Sequence, residues 1–408
     1  MTLRILHILD HSLPLQSGYS FRTAALLREQ RAMGWETFHL TTPKHYAPSP
    51  DEEEVAGLAY FRTNVRPTLM RRAPVLDNAM VVRDTRRRIE ELWPRLRPDI
   101  IHAHSPCLNG LAALPVARKH GVPLVYEMRA SWEDAAVDHG STRHGSLRYR
   151  LSRQLETSVV RRADAVVAIC EGLASEVAAR GVPRDRITIV RNAVNIADFA
   201  LIDRPDAALQ QQLGLGAGPI LGFIGSLYGY EGISVLIEAL PLMVREHPGM
   251  RLLLVGGGPA EQELRKAAAN AGVSDRVHFL GRVPHGEVSR YYSVMDVLVY
   301  PRKSTRLTEL VTPLKPLEAM SLGKFFIASN VGGHRELIPE FLRGNLFAAD
   351  DPQDLARVAL RAIATRAEWP ALLARARSHV SSQCTWNLSA ARYRDVYARV
   401  SGRTASQS

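Results

Sequence analysis

Short apolar runs alternate with longer stretches of helical period along almost the whole chain. "RILHIL" at residues 4–9 opens the series, and "TFHLTT", "GLAYFRT", "DIIHAHS", "PLVYEMR", "AVVAICE" and "ITIVRNAV" follow as strand-like runs. A second series starts at "PILGFIGSL" and continues through "RLLLVGGG", "RVHFLGR", "VLVYPRK" and "KFFIASN". Stretches of helical period lie between the runs, among them Tyr19–Met33, Ser146–Arg162, Ile233–Glu246 and Ala260–Ala271. Alternation of this kind builds β-α-β units, with parallel strands and helices on both faces of a sheet. The pattern predicts an α/β fold of two doubly wound, Rossmann-like domains facing across a cleft. Ligands are expected at the carboxyl ends of the strands.

A chain of 408 residues exceeds one ordinary core, which agrees with two domains. The two series are separated by "DFALIDRPDAALQQQLGLGAGP", which is polar, spotted with glycine and without sustained period. We therefore expect a first domain over 1–198, a linker over 199–218 and a second domain over 219–385. Trp386 precedes the amphipathic "SAARYRDVYARV", which predicts a C-terminal helix over 386–400 that crosses back to the first domain. The tail 401–408, "SGRTASQS", is expected to be disordered.

Composition narrows the class. An apolar content of 46% with 23% charged residues is that of a globular protein. Cys107, Cys170 and Cys384 lie far apart without a C-x-x-C pair, which argues against a disulfide framework or zinc site and for a reducing cytoplasm. "MTLRILHILD" reads as a first strand and not as a signal peptide, and no apolar run is long enough for a spanning helix. The net charge is +11, and residues 62–97 alone hold 10 arginines against 4 acids. Such a segment either forms a solvated helix face or rests on an anionic membrane surface, on the inner face of the plasma membrane. No nucleic-acid motif accompanies the charge, so nucleic acid is not an expected partner.

Three glycine-bearing turns stand where strands pass into helices: Gly18 in "LPLQSGYSF", Gly225, Gly229 and Gly232 in "FIGSLYGYEGI", and Gly256, Gly257 and Gly258 in "LLLVGGGPAEQEL". Tight turns use glycine for structural reasons, yet three at the same edge of two sheets also describe a cleft lined with backbone amides. "DIIHAHS" puts His102 and His104 on one strand face. His102 reads as a structural histidine, whereas His104, last on the strand, is placed to act as an acid–base group. The stretch "PRKSTRLTELVTPLKPLEAMSLGK" gathers Arg302, Lys303, Arg306 and Lys315 around Glu309 and Glu318, with Pro316 in the first helical turn. Cations at a helix N-terminus make a diphosphate site, and carboxylates suit sugar hydroxyls. Together they describe a nucleotide-sugar site.

The chain resembles the GT-B-fold retaining glycosyltransferases of family four over nearly its whole length. "ILHILDHSLPLQSGYSFRTAALLREQRAMGWETFHLTTPKHY" is similar to the N-terminus of the transferases associated with exosortase A / PEP-CTERM exopolysaccharide systems. "VVAICEGLASEVAARGVPRDRITIVRNAVNIADF" resembles the family's approach to its interdomain hinge, "VGGGPAEQEL" its donor loop, "FLGRVPHGEVSRYYSVMDVLVYP" its base-binding region, and "KPLEAMSLGK" its acidic helix. The resemblance implies donor contacts from Gly18, Gly225, Ser226, Gly257, Gly258, Arg282 and Glu318, with Glu309 and His104 on the catalytic side. It also implies retention of configuration and no bound metal, in line with the lack of a D-x-D triplet after a strand. No cofactor is expected, since the nucleotide-sugar is a substrate.

Two departures stand out. The family's G-R-L-x-x-x-K-G reads "GSLYGYEG" here, with Ser226 and Glu231 where arginine and lysine usually grip the donor diphosphate. Eight residues separate Glu309 from Glu318 where the family has seven. The diphosphate cations must then come from Arg302, Lys303, Arg306 and Lys315, with Glu231 turned away. The expected activity is sugar transfer from a nucleotide-sugar donor to a glycan or lipid-linked glycan acceptor. A nucleotide-sugar 2-epimerase and a non-catalytic sugar-binding homologue are the rival readings, the second prompted by the missing cation pair.

Overall fold

The protein is described from a computed structural model, covering residues 2–46, 49–65, 74–202 and 204–402. The segment 66–73 within the arginine-rich stretch and nearly all of the expected disordered tail lie outside the described residues. The chain divides into two compact units, Met1–Ala193 with Trp386–Ser408, and Val194–Thr385.

The first unit is built on eight strands: β1 (Arg4–Leu9), β2 (Glu36–Thr41), β3 (Glu52–Val55), β4 (Leu58–Arg62), β5 (Ile100–His104), β6 (Leu124–Met128), β7 (Ala165–Ala168) and β8 (Ile187–Ile189). Their order is β3-β4-β2-β1-β5-β6-β7-β8, parallel except for the β3–β4 hairpin. β5 and β6 are buried at every position, as strands covered on both faces must be. Helices flank the sheet, for example Gly18–Ala32, whose cap Ser17 accepts from Ser20 N, and Leu147–Arg162, whose cap Ser146 accepts from Tyr149 N. The C-terminal segment of this unit forms two helices, Trp386–Ala391 and Tyr393–Ser401, rather than one continuous helix. Tyr393 and Tyr397 are fully buried there, and Tyr397 Oη bonds His102 Nδ1 at 2.7 Å.

The second unit has six strands: β9 (Ile220–Ile224), β10 (Arg251–Val255), β11 (Val277–Gly281), β12 (Val297–Tyr300), β13 (Phe325–Ser329) and β14 (Leu346–Phe347). They are all parallel, in the order β11-β10-β9-β12-β13-β14. This is the doubly wound order, whose direction of winding reverses between the first and fourth strands, here β9 and β12. Its core is contiguous, from Leu221 and Phe223 on β9 to Trp369 and Val380 beyond the last strand.

The expected linker over 199–218 needs correction. The change of unit falls at Ala193/Val194, and residues 199–218 belong to the second unit. Asp206 caps a short helix, Ala207–Gln212, and bonds Arg290 at 2.7 Å, while Leu209 and Leu215 enter the core. Two leucines among polar residues suffice to anchor the segment, although they give it no periodicity to read.

Candidate functional site

The carboxyl ends of β9 and β12 carry the richest group of polar side chains in the second unit. After β9 the backbone turns through Gly225 and climbs by way of a short 3-10 segment, Gly229–Glu231, into the helix Ile233–Glu246. After β12 it runs through Pro301–Thr305, a short helix Arg306–Leu310, and then the helix Lys315–Leu322 with Pro316 in its first turn. Gly225 has φ +151, and a Cβ there would lie 2.6 Å from Lys315 Cε. Glycine is thus what lets the lysine stem pass. Lys315 Nζ donates to Glu231 Oε1 at 2.7 Å, and Arg302 Nη2 lies 3.5 Å from the same oxygen.

Glu231, expected to point away from the donor phosphates, is turned inward onto two of the cations. It is buried at 3% exposure and is their shared counter-ion. Burial by itself raises its pKa, but Lys315 and then Arg302 outweigh that and hold the carboxyl down to about 2. A buried carboxylate with two cations at hand keeps its charge by pairing, and turning outward would have left Lys315 and Arg302 without that partner.

Glu318 lies in the first turn of the helix Lys315–Leu322, one turn beyond Lys315, where Tyr292 Oη donates to it at 3.5 Å. Burial, then the Glu318 charge, raises the Tyr292 phenol well above its ordinary pKa, so it stays a donor. Glu309 is fully engaged: Oε1 accepts from Ser304 Oγ at 2.9 Å, and Oε2 from Gly332 N at 2.7 Å and Arg335 Nη2 at 3.0 Å. It thereby tethers the short helix after β13, so its first visible work is positional.

The cations are not one group. Arg302 also donates to Val311 O at 3.4 Å, and Lys303 N donates to Tyr230 O at 3.0 Å. Arg306 is exposed at the start of its own helix. Only Arg302 and Lys315 share Glu231 among the four expected cations.

The glycine turns interlock with one another. Gly225 N donates to Val255 O at 2.9 Å and Leu227 N to Gly257 O at 3.1 Å, and a Cβ on Gly256 or Gly258 would collide with Gly225 O or Leu227 O. Close backbone approach explains Gly256 and Gly258 without a ligand. Ser226 is exposed at the tip of the first turn, and exposed Arg282 runs beside Gly257.

In the first unit, Gly18 opens its helix behind Ser17, whose Oγ also bonds His11 Nε2 at 2.9 Å. His104 corrects an expectation. It is 2% exposed, with Arg129 Nη2 at 2.7 Å from Nδ1 and His7 Nδ1 at 3.0 Å from Nε2. Because a guanidinium only donates, His104 Nδ1 accepts and Nε2 carries the proton toward His7. Burial, then Arg129, lowers its pKa well below the ordinary value, so the ring is neutral and fully engaged. An acid–base group facing a substrate would need one ring nitrogen outward.

His7, His102 and His104 bring ring nitrogens within 4.8 Å of one another, the one such group of three among the described residues. Metal ligation through His104 Nε2 would move its proton to Nδ1, against the Arg129 donor. The donor set therefore opposes a metal. Sequence reasoning missed the residues that organise this cluster. Glu127 accepts from Arg129 Nε at 2.8 Å, from Arg22 Nε at 3.3 Å and from Tyr393 Oη. Burial favours its neutral form, but Arg129 and then Arg22 hold it well below the usual carboxylate range. The available signal was a glutamate inside the apolar run "PLVYEMR".

The arginine segment 62–97 is only partly a free cationic face. Arg62 is buried and bound to Glu53, Arg95 bonds both Glu52 oxygens at 2.6 and 2.9 Å, and Arg88 lies 3.3 Å from Glu91. Among the described residues no helix is long and apolar enough to cross a membrane.

Comparison with known proteins matches residues 206–376 to the glycosyl transferases group 1 model and residues 17–193 to the glycosyl transferase 4-like domain. A D-inositol 3-phosphate glycosyltransferase of Streptosporangium roseum is 30% identical over 322 residues, covering 76% of this chain and 72% of the relative. Among solved structures, Anabaena Alr3699/HepE in complex with UDP aligns with a TM-score of 0.71 at 18% identity, over 97% of this chain and all of that one. Sucrose-phosphate synthase from Thermosynechococcus elongatus aligns with a TM-score of 0.76 at 20% identity, over 97% and 98% of the two chains. Those likenesses give the fold, GT-B with two Rossmann-like domains. With both domain models matched and a relative 30% identical along three quarters of its length, the chain belongs to the group 1 glycosyltransferases.

Proposed function

We propose that the protein transfers a sugar, with retention of configuration and without a metal, from a nucleotide-sugar to a hydroxyl of a glycan acceptor. The reading is carried by one observation: Lys315, steered by Glu231, begins the helix whose first turn also holds Glu318. Lys315 and the helix N-terminus would receive the departing diphosphate, and Glu318 would accept from ribose hydroxyls. In this reading Lys315 and Arg302 stand in for the cations absent at Ser226 and Glu231, which speaks against a non-catalytic homologue. An acceptor in exopolysaccharide assembly, lipid-linked and presented at the inner face of the plasma membrane, is the reading that the N-terminal sequence resemblance favours.

Thermal-shift titration with uridine, guanosine and adenosine diphosphate sugars tests the donor step, because a ligand specific to the folded state raises its apparent stability. A uridine diphosphate sugar is the first to try, since the HepE relative was solved with UDP-glucose. One nucleotide class should raise the melting temperature in the wild type and not in Glu318→Ala. Absence of any shift with all three would overturn the proposal. Conversion of the sugar without an acceptor would replace transfer by epimerisation.

A further inference from the structure

The 16-residue helix Leu147–Arg162 of the first unit has two unlike sides. Tyr149, Glu156, Val159 and Val160 face inward and are buried. Leu147, Leu151 and Leu155 are 74%, 50% and 41% exposed. Spaced at i, i+4 and i+8, they form a continuous stripe ~12 Å long. Among the described residues, the other exposed large apolar side chains, Phe21, Tyr46, Leu76, Leu201 and Leu388, stand on five separate segments. Exposing one leucine is ordinary, but aligning three on a helix is what marks an interaction surface.

Charge says what covers it. The helix carries five arginines, Arg148, Arg150, Arg153, Arg161 and Arg162, and a single acid, Glu156, on the buried side. Helical geometry sets Arg148 along one edge of the stripe, Arg150 along the other and Arg162 at its far end, all three exposed. The exposed face is thus leucine bordered by arginine, with no acid of its own helix. A second copy of the chain would bring the same arginines against these. A bilayer with anionic headgroups offers both acyl chains for the leucines and phosphates for the arginines. Of the arginines in 62–97, Arg62, Arg88 and Arg95 already have acidic partners.

We propose that the Leu147–Leu151–Leu155 face docks the protein on an anionic bilayer, its leucines at the headgroup–acyl boundary and its arginines on lipid phosphates. The surface lies wholly in the first unit, so its test is separate from that of the donor site. Co-sedimentation is measured with vesicles of phosphatidylglycerol and phosphatidylcholine and with vesicles of phosphatidylcholine alone. The protein should bind the first and not the second. Leu147→Gln/Leu151→Gln should weaken binding by about tenfold or more through lost apolar insertion. Arg148→Glu/Arg150→Glu should weaken it similarly, while Arg83→Glu/Arg86→Glu should leave it nearly intact. All these positions are exposed, so melting temperatures should stay at the wild-type value and exclude misfolding. Equal binding to neutral vesicles, no binding to either, or unchanged binding in both helix variants would overturn the proposal. So would a dimer that the leucine variant dissolves while vesicle binding is absent.

Discussion

Glu231 Oε1 and Lys315 Nζ lie 2.7 Å apart, joining the turn after β9 to the start of the helix after β12. The family motif that this turn resembles carries a lysine where Glu231 stands, so here an acid on the turn meets a cation brought by the other element. Both partners are mostly shielded, with side chains 4% and 19% exposed. Removing one partner of such a pair leaves the other charge uncompensated, at a cost of about 3 kcal/mol. Glu231→Lys should cost at least that, because Arg302 also stands 3.5 Å from the Glu231 carboxylate. The double exchange Glu231→Lys/Lys315→Glu should regain much of the loss. Urea unfolding of the two single variants and the double variant checks this, and strictly additive losses would deny the coupling.

Lys315→Ala should slow transfer roughly 100- to 1000-fold if the lysine stabilises charge on the leaving diphosphate. Glu231→Gln should move in the same direction by less, because it releases Lys315 without removing it. Steady-state rates at saturating donor are the measurement. A Lys315→Ala variant with a near-normal rate would leave the diphosphate to backbone amides alone.

Glu309 and Glu318 should separate in kinetics. Glu318 faces Tyr292 from the first turn of its helix, and an interaction present in ground and transition states alike is read as affinity. Glu318→Ala should therefore raise the donor dissociation constant strongly. Glu309 holds Gly332 N, Arg335 and Ser304, so Glu309→Ala should lower turnover by displacing that loop, with a fall in melting temperature. Donor calorimetry beside turnover numbers distinguishes them, and identical effects from both would refute the division of roles.

What was legible in the sequence follows from how strongly each feature is patterned. Buried strands such as Ile100–His104 are apolar enough to be seen, as are the glycine turns at strand ends. β3 was not seen, because Glu52, Glu53 and Glu54 fill an edge strand whose charges meet Arg95 and Arg62. β14 was not seen because two residues carry no period. Positions of Lys315 and Glu318 could be read from local helix signals. The direction of Glu231 could not, since it depends on Lys315, 84 residues away in sequence. His104 misled for a related reason. Its burial depends on Arg129 and His7, which only the assembled sheet brings together.

His104→Gln should act on stability and not on the pH profile of catalysis. Its two bonds join β5 to β1 and to Arg129, and leaving such buried polar groups unsatisfied costs about 1–3 kcal/mol. The midpoint of chemical unfolding should fall, while the shape of kcat/KM against pH stays that of the wild type. Loss of one limb of that profile would restore His104 to acid–base chemistry.

Glu156 sits on the buried side of the helix that exposes the three leucines. It is fully buried, accepts from Tyr126 Oη at 2.7 Å and from Trp132 N at 3.3 Å, and has Arg180 Nη1 at 3.7 Å. Burial and the neighbouring Glu133 carboxylate push its pKa up to about 7, against the pull of Arg180. The folded state thus binds a proton that the unfolded chain, near 4.5, has already released. Between those values the folded state holds more protons than the unfolded one, so this group's contribution is full below about 4.5 and is lost as pH rises through 7. Glu156→Gln removes the titration, and its amide can donate to Tyr126 while its oxygen accepts from Trp132. The variant should therefore gain on the wild type by about 2–3 kcal/mol at pH 8, with little difference at pH 4.5. Unfolding curves of both proteins across this range are the check. A difference that stays constant with pH would mean that Arg180 keeps Glu156 ionised throughout.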